Sequence, residues 1–387
     1  MGGGRSGRAN IPLQGFRQPA TGRRGGGPPP VYTLAYSLNG GGGTQPVQVT
    51  GTPGQAVALA GGGGLTEPDA NFVPGGHPYY FDGWNTLADG SGANYAAGAS
   101  YTLNSSVTLY AKWAPEPDLM VKFGKKARGY SPGTITAQNV TDTFNAVQTY
   151  IQGLGPAAGQ NPPNLGLISM ADFVQLPSLL APAVSPIAGA VSITAPGDAL
   201  KVMVVGINSY YNINGNGTDP HLVFQFMDAP CSNSIFYGFK MNSWDDSSTG
   251  YWGSELRDYL INDYWTAVQT AGVPDGAVWA VNRVVASAGG GGASAQPITD
   301  KLYLPTEWEM FGFYTFSDSC ENSGNQGRFG YYTSNLLRAK SVAYWLASPD
   351  AVALAPYQTD FCAIGSGDAY EWPASYSFGI LPAFTVK

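Results

Sequence analysis

The chain has 387 residues, enough for two or three domains that each bury a core. Charged residues make up 12%, against roughly 25% in ordinary soluble proteins; with 53 Gly and 23 Tyr the surface reads as turn-rich and aromatic rather than ionic. Residues 1–30 hold five Arg (Arg5, Arg8, Arg17, Arg23, Arg24) and no acid, so the remaining 14 basic groups face 26 acidic ones, a balance of −12. A body that negative repels phosphate backbones, which excludes nucleic acid as its partner.

No apolar run reaches the ~18 residues of a membrane span, and the N-terminus lacks the apolar stretch of a secretory signal. Cys231, Cys320 and Cys362 lie far apart with no CxxC spacing, which argues against a zinc ribbon and a disulfide-dense scaffold; at most one bridge can form.

Residues 1–30 combine Gly, Arg and Pro with almost nothing to bury, the composition of an arm that is a solvated linker or is held by a partner. From residue 31 to 114 the pattern changes to short strands. Tyr32, Leu34, Tyr36 and Leu38 alternate with smaller residues, as do Val107, Leu109, Ala111 and Trp113, and Asp82-Gly83 and Asp89-Gly90 punctuate the interval. Residues 115–164 read as a linker carrying a helix, because Val140, Phe144, Val147 and Ile151 fall on one face and Gly153 closes it.

Beyond residue 165, "LKVMVVGI" and "HLVFQF" are short apolar runs that predict buried strands, and "GSELRDYLINDYWTAVQTAGV" predicts a helix capped by Ser254 with Leu256, Tyr259, Leu260, Tyr264 and Val268 on one side. A short helix at "PTEWEMFG" and aromatic C-terminal strands come next. This order gives an α+β class with an antiparallel sheet.

Catalytic chemistry is sparse. The two His, His77 in a turn and His221 at the start of a strand, have no Ser elbow beside them, and the poly-Gly loops lack the Lys-Ser/Thr of a phosphate cradle. Paired carboxylates occur as Asp245-Asp246 and Glu307/Glu309; the first pair lacks regular calcium-ligand spacing and reads as a solvated turn. No catalytic residue, metal or cofactor is assigned.

Two resemblances add to this reading. "YYFDGWNTLADGSGANYAAGASYTLNSSVTLYAKW" (79–113) resembles the internalin-type B repeat over about 31–114, which implies a β-grasp-like spacer or weak contact module. The ordered series "LKVMVVGIN…HLVFQF…YWGSELRDYL…DKLYLPTEWEMFG…YWLASP…DFCAIGSGDAY…SFGILPAF" over 165–387 resembles the C-type-lectin-like variable proteins of diversity-generating retroelements, which share the formylglycine-generating-enzyme type of fold.

In that family a C-terminal segment is rewritten at template adenines around a constant framework. The resemblance implies a framework of Tyr344, Trp345, Ser348, Pro349, Phe361, Cys362, Gly365, Gly367, Gly379 and Phe384. It implies a ligand-binding variable face of Asp350, Val352, Ala353, Leu354, Ala355, Tyr357, Asp360, Ala363, Asp368, Tyr370 and Tyr376, with Trp372 as a fixed aromatic beside them. An Asn codon altered at its first two bases yields Asp, Ala, Val, Leu or Tyr but not Trp or Glu.

The expected function is binding, not catalysis: a diversified C-terminal face that grips a protein or glycan on a target cell surface. The expected setting is a phage virion or a bacterial cell surface, with the arm 1–30 attaching to a virion or carrier protein. A structural decoration protein and a formylglycine-generating-type oxidase are the alternatives; the oxidase needs a reactive copper-binding pair among the three Cys.

Overall fold

The computed structural model describes residues 2–3, 27–68, 75–157, 159–177, 190–192, 200–213, 215–229, 231–232, 235–245, 247–290, 293–322, 326–351 and 360–387. Most of the Arg-rich arm, and Val352, Ala353, Leu354, Ala355 and Tyr357 of the expected variable face, lie outside the described residues.

Strands Tyr32–Ser37 and Val107–Pro115 form where the alternation places them and pair in parallel, Leu34 opposite Val107 and Tyr36 opposite Leu109. They sit inside a five-stranded sheet ordered Val49–Gly51, Tyr32–Ser37, Val107–Pro115, Tyr79–Asn85 and Asn94–Tyr95. The inward positions Leu34, Tyr36, Leu109 and Ala111 form a core with Leu59, Trp84 and Leu103. Alternation thus turns directly into a buried face.

Residues 116–130 tie this β unit to the C-terminal unit. Pro78 O accepts from Glu116 N at 2.9 Å and Lys122 O accepts from His77 N at 3.2 Å, while Arg128 pairs with Glu116 and donates to Tyr79 O at 3.0 Å. Lys122 is buried; its ammonium donates to Asp172 at 2.6 Å and to Leu167 O at 2.8 Å. Burial lifts the Asp172 carboxyl to about 6 against the pull of the Lys122 charge.

The C-terminal unit is built on an antiparallel sheet ordered Phe173–Gln175, Lys201–Ile207, Leu222–Phe226, Ala383–Val386 and Val278–Trp279, with Leu302–Tyr303 also pairing Ala383–Val386. The last strand of the chain therefore lies in the middle of the sheet. Helix Ala137–Gln152, capped by Thr136 and Asn139, packs on it through Val140, Phe144, Val147 and Ile151, with Phe144 5.2 Å from Phe224 and 5.7 Å from Phe384.

Ser254 caps the helix Glu255–Tyr259 as expected, accepting from Arg257 N at 3.2 Å; with Ala137–Gln152 as the first long helix, this begins the second. This helix is broken by a π turn over Leu260–Tyr264 before it continues through Trp265–Thr270. The extra residue rotates the apolar stripe, so Trp265 joins Tyr259, Leu260, Tyr264 and Val268 in the core. The whole is α+β. Among the described residues no helix is long and apolar enough to cross a membrane.

Candidate functional site

The site expected from sequence falls on a small antiparallel meander of Tyr344–Pro349, Asp360–Gly365 and Asp368–Pro373. Its first two strands are buried throughout, apart from Gly365. On one side, Trp345 sends its indole N–H to Phe239 O at 2.7 Å and meets Phe378 edge to face at 4.8 Å. On the other, Tyr344, Leu346, Cys362 and Ile364 enter a second apolar cluster with Tyr332, Phe311 and Leu381. A sheet packed on both sides supplies a rigid base for whatever its outer strand presents.

Ser366 and Gly367, with φ of 51° and 90°, join the second strand to the third by a two-residue hairpin, Gly365 opposite Asp368. Both central residues at positive φ match the twist of a type I′ turn. A Cβ on Gly367 would lie 2.0 Å from Asn335 O. A side chain at position 367 would therefore clash with the Asn335 backbone.

The outer strand alternates: Asp368, Tyr370 and Trp372 are exposed, while Ala369, Glu371 and Pro373 are half-buried. Tyr370 is 45%, Trp372 38% and Tyr376 49% exposed, high values for rings that ordinarily seek cover. Trp372 and Tyr376 stand 5.3 Å apart, and Trp372 rests on Phe378 at 5.6 Å. Four of the expected site residues, Asp368, Tyr370, Trp372 and Tyr376, are therefore brought together at the surface.

Asp350, Asp360 and Ala363 are not on that surface: they are 0%, 5% and 1% exposed. Ala363 lies opposite the buried Trp345 in the strand register. Asp350 N donates to Asp360 O at 3.0 Å, and Asp350 O accepts from Gly290 N at 2.8 Å, which joins the backbones of 350, 360 and 290.

A carboxylate cluster adjoins the strand Tyr344–Pro349 through Ser348. Glu307, Glu309 and Glu321 are fully buried. Arg283 grips Glu309 at 3.0 and 2.5 Å, and Tyr210 donates to Glu309 at 2.7 Å. Glu307 accepts from Ser317 N at 2.9 Å and from the Ser317 hydroxyl at 2.7 Å. Burial, with Glu307 and Glu309 close by, pushes Glu321 up to about 8, so it is a neutral acid at pH 7. Among the described residues no group of three or more His, Cys, Asp and Glu is placed to hold a metal ion.

His221 is a core histidine. Burial pushes it down to about 4, and its ring accepts from Tyr210 N at 3.0 Å while its other nitrogen donates to Asp219 O at 2.9 Å. Cys320 and Cys362 are free, and burial beside carboxylates raises both, Cys320 to about 12, which keeps them as thiols at neutral pH.

In the first unit, the "FDGWN" motif folds as one piece. Gly83 takes φ of 109° at a bulge between Phe81 and Trp84, where a Cβ would meet Tyr95 O at 2.4 Å. Trp84 is fully buried and donates to Ala60 O at 2.8 Å. Asn85 then organises the next loop, donating to Gly90 O and Gly92 O and accepting from Leu87 N at 2.8 Å.

Residues 32–112 match the family model of the Listeria-Bacteroides repeat domain.

The match covers the repeat-like segment expected from sequence, and Gly83, Trp84 and Asn85 within it are the residues that make its bulge, core and loop. No curated protein and no solved structure matches the chain.

Sequence reasoning missed Trp244, 72% exposed in the loop that borders the meander, and Glu321. Trp244 carried a signal, a lone Trp among Ser and Asp in "NSWDDSS"; Glu321 carried none, since its burial arises only from the tertiary fold.

Proposed function

We propose that this protein is a binding protein in which the repeat acts as a spacer and the C-terminal unit presents a diversified ligand-binding face. The observation that carries the reading is the exposed aromatic strand Asp368–Pro373 on a doubly packed meander. Tyr and Trp supply large contact area at small entropic cost, and a rigid base keeps that area preorganised. The face then consists of Val352, Ala353, Leu354, Ala355 and Tyr357 together with Asp368, Tyr370, Trp372 and Tyr376, while Asp350, Asp360 and Ala363 are buried and fall outside it.

A C-type-lectin-like fold is supported by three features: a last strand inserted at the centre of an antiparallel sheet, two helices packed around it, and a separate small sheet from which one segment departs and returns. The ligand is a protein or glycan on a target cell surface, and the setting is a phage virion or a bacterial cell surface. The basic arm 1–30 attaches to a virion or carrier protein through salt-sensitive pairing with acidic groups. The oxidase alternative needs a reactive thiol pair, whereas Cys320 and Cys362 are both held protonated.

Sequencing the DNA that flanks the gene tests the diversification. The expected finding is a near-copy of the coding segment for 344–384, with mismatches confined to adenines, beside a reverse-transcriptase gene. Flanking DNA without such a copy contradicts diversification and leaves a fixed binding face.

A further inference from the structure

The aromatic ridge of Tyr370, Trp372 and Tyr376 has a carboxylate at each end, Asp368 and Asp245. Asp368 shares the exposed side of the strand with Tyr370 and Trp372, and accepts from the Asn335 amide. At the other end the loop 241–245 is stitched to the strand that leaves the ridge: Ala374 O accepts from Met241 N at 2.9 Å and from Asn242 N at 3.2 Å. Asp245 accepts from Ser375 N at 3.1 Å, which sets its carboxylate beside the residue that precedes Tyr376.

Asp245 makes no ion pair among the described residues, and Glu255 behind it spends its carboxylate on the Ser243 amide and hydroxyl. Glu371, half-buried on the opposite side of the strand, makes none among them either. The basic residues that adjoin the ridge are Lys240, beside the Phe239–Phe378 bridge, and the buried Arg338, whose guanidinium bonds Asn335 and Gly367 O and offsets the charge of Asp368. Asp245 is left as the carboxylate that faces the ridge without such an offset among the described residues, and the −12 balance of residues 31–387 adds a general attraction for cations.

Resting on the binding reading above, we propose that the ridge receives a protein segment with exposed arginine or lysine. The cation lies over the faces of Trp372 and Tyr376, and Asp245 attracts it from the end nearest Tyr376. Aromatic faces hold guanidinium and ammonium groups through their quadrupole, and a flanking carboxylate raises the local cation concentration.

The test uses the full chain and fluorescence anisotropy of a labelled peptide of four Gly-Arg repeats, against a peptide of four Gly-Gln repeats, at physiological salt. The Gly-Arg peptide is expected to bind and the Gly-Gln peptide to fail. The double change Trp372→Ala with Tyr376→Ala weakens binding about tenfold, and Asp245→Asn about threefold. Asp258→Asn, an exposed carboxylate on the second helix, leaves binding unchanged. Melting temperatures confirm that each variant folds.

Equal weakening by Asp258→Asn overturns the proposal, because the attraction is then the general field of an acidic protein. Displacement of the peptide by a neutral oligosaccharide mixture overturns it in favour of a glycan. Much tighter binding by a chain lacking residues 1–30 overturns it by naming the protein's own Arg-rich segment as the occupant. The probe reads the ridge alone, so its failure leaves the segment 352–357 to be judged by its own experiment.

Discussion

The hydroxyl of Ser348 donates to the Glu321 carboxyl group at 2.7 Å, and both residues are fully buried. The same oxygen accepts from Glu307 N at 2.7 Å, so one framework serine joins the meander to the acid cluster. The pair makes stability depend on pH. Glu321 titrates near 8 when folded and near an ordinary ~4.3 when unfolded; between those values the folded state alone keeps the proton, so stability falls as pH rises and levels off above 8.

His221 works the other way only below its ordinary ~6.5, because its folded value is about 4. Between pH 6.5 and 8 the Glu321 slope stands without that opposition, approaching about 1.4 kcal/mol per pH unit. Denaturant titrations at pH 6.5, 7.25 and 8 should show it, and Glu321→Gln should remove it. The same slope in the Gln variant would assign it elsewhere.

Gly367 and Gly365 separate a position that requires glycine from one that tolerates a methyl. Gly367→Ala places a methyl against Asn335 O at 2.0 Å and forces Ala to a φ of 90°, whereas a Cβ on Gly365 meets the Tyr370 ring at an ordinary 3.4 Å. Gly367→Ala is expected to cost about 2 kcal/mol or more, with Gly365→Ala below about 1 kcal/mol. Chemical denaturation of the two variants decides the matter.

Phe144 is the point at which the first helix holds the central sheet. Its ring meets Phe224 and Phe384 edge to face with no exposure. Phe144→Ala should cost about 3–5 kcal/mol, and Phe144→Leu distinctly less, because Leu refills most of the volume. A loss below ~1 kcal/mol for Ala would mean that the helix is not docked as described.

Much of this architecture is legible in the sequence wherever one physical rule dominates. Alternation from Tyr32 to Leu38 reads correctly because one side of that strand is buried, and Val140, Phe144, Val147 and Ile151 read correctly because a single helical face meets a single sheet. Trp265 escapes the helical reading because a π turn shifts the phase ahead of it. The burial of Asp350, Asp360 and Ala363 escapes for a different reason: both faces of the first two meander strands are covered, so no alternation separates buried from exposed positions there. Composition marks a residue as changeable without saying which way it points.

The binding reading depends on residues 352–357 and Tyr370 deciding what the protein holds, not whether it folds. The wild-type chain and a variant with Val352, Leu354, Tyr357 and Tyr370 all replaced by Ser are compared on an array of bacterial surface glycans and purified surface proteins, with melting temperatures read in parallel. The expected result is a ligand bound by the wild type and weakened by about a hundredfold in the variant, at an unchanged melting temperature. The same ligand held with the same affinity by both chains would contradict the assignment of this face as the binding site.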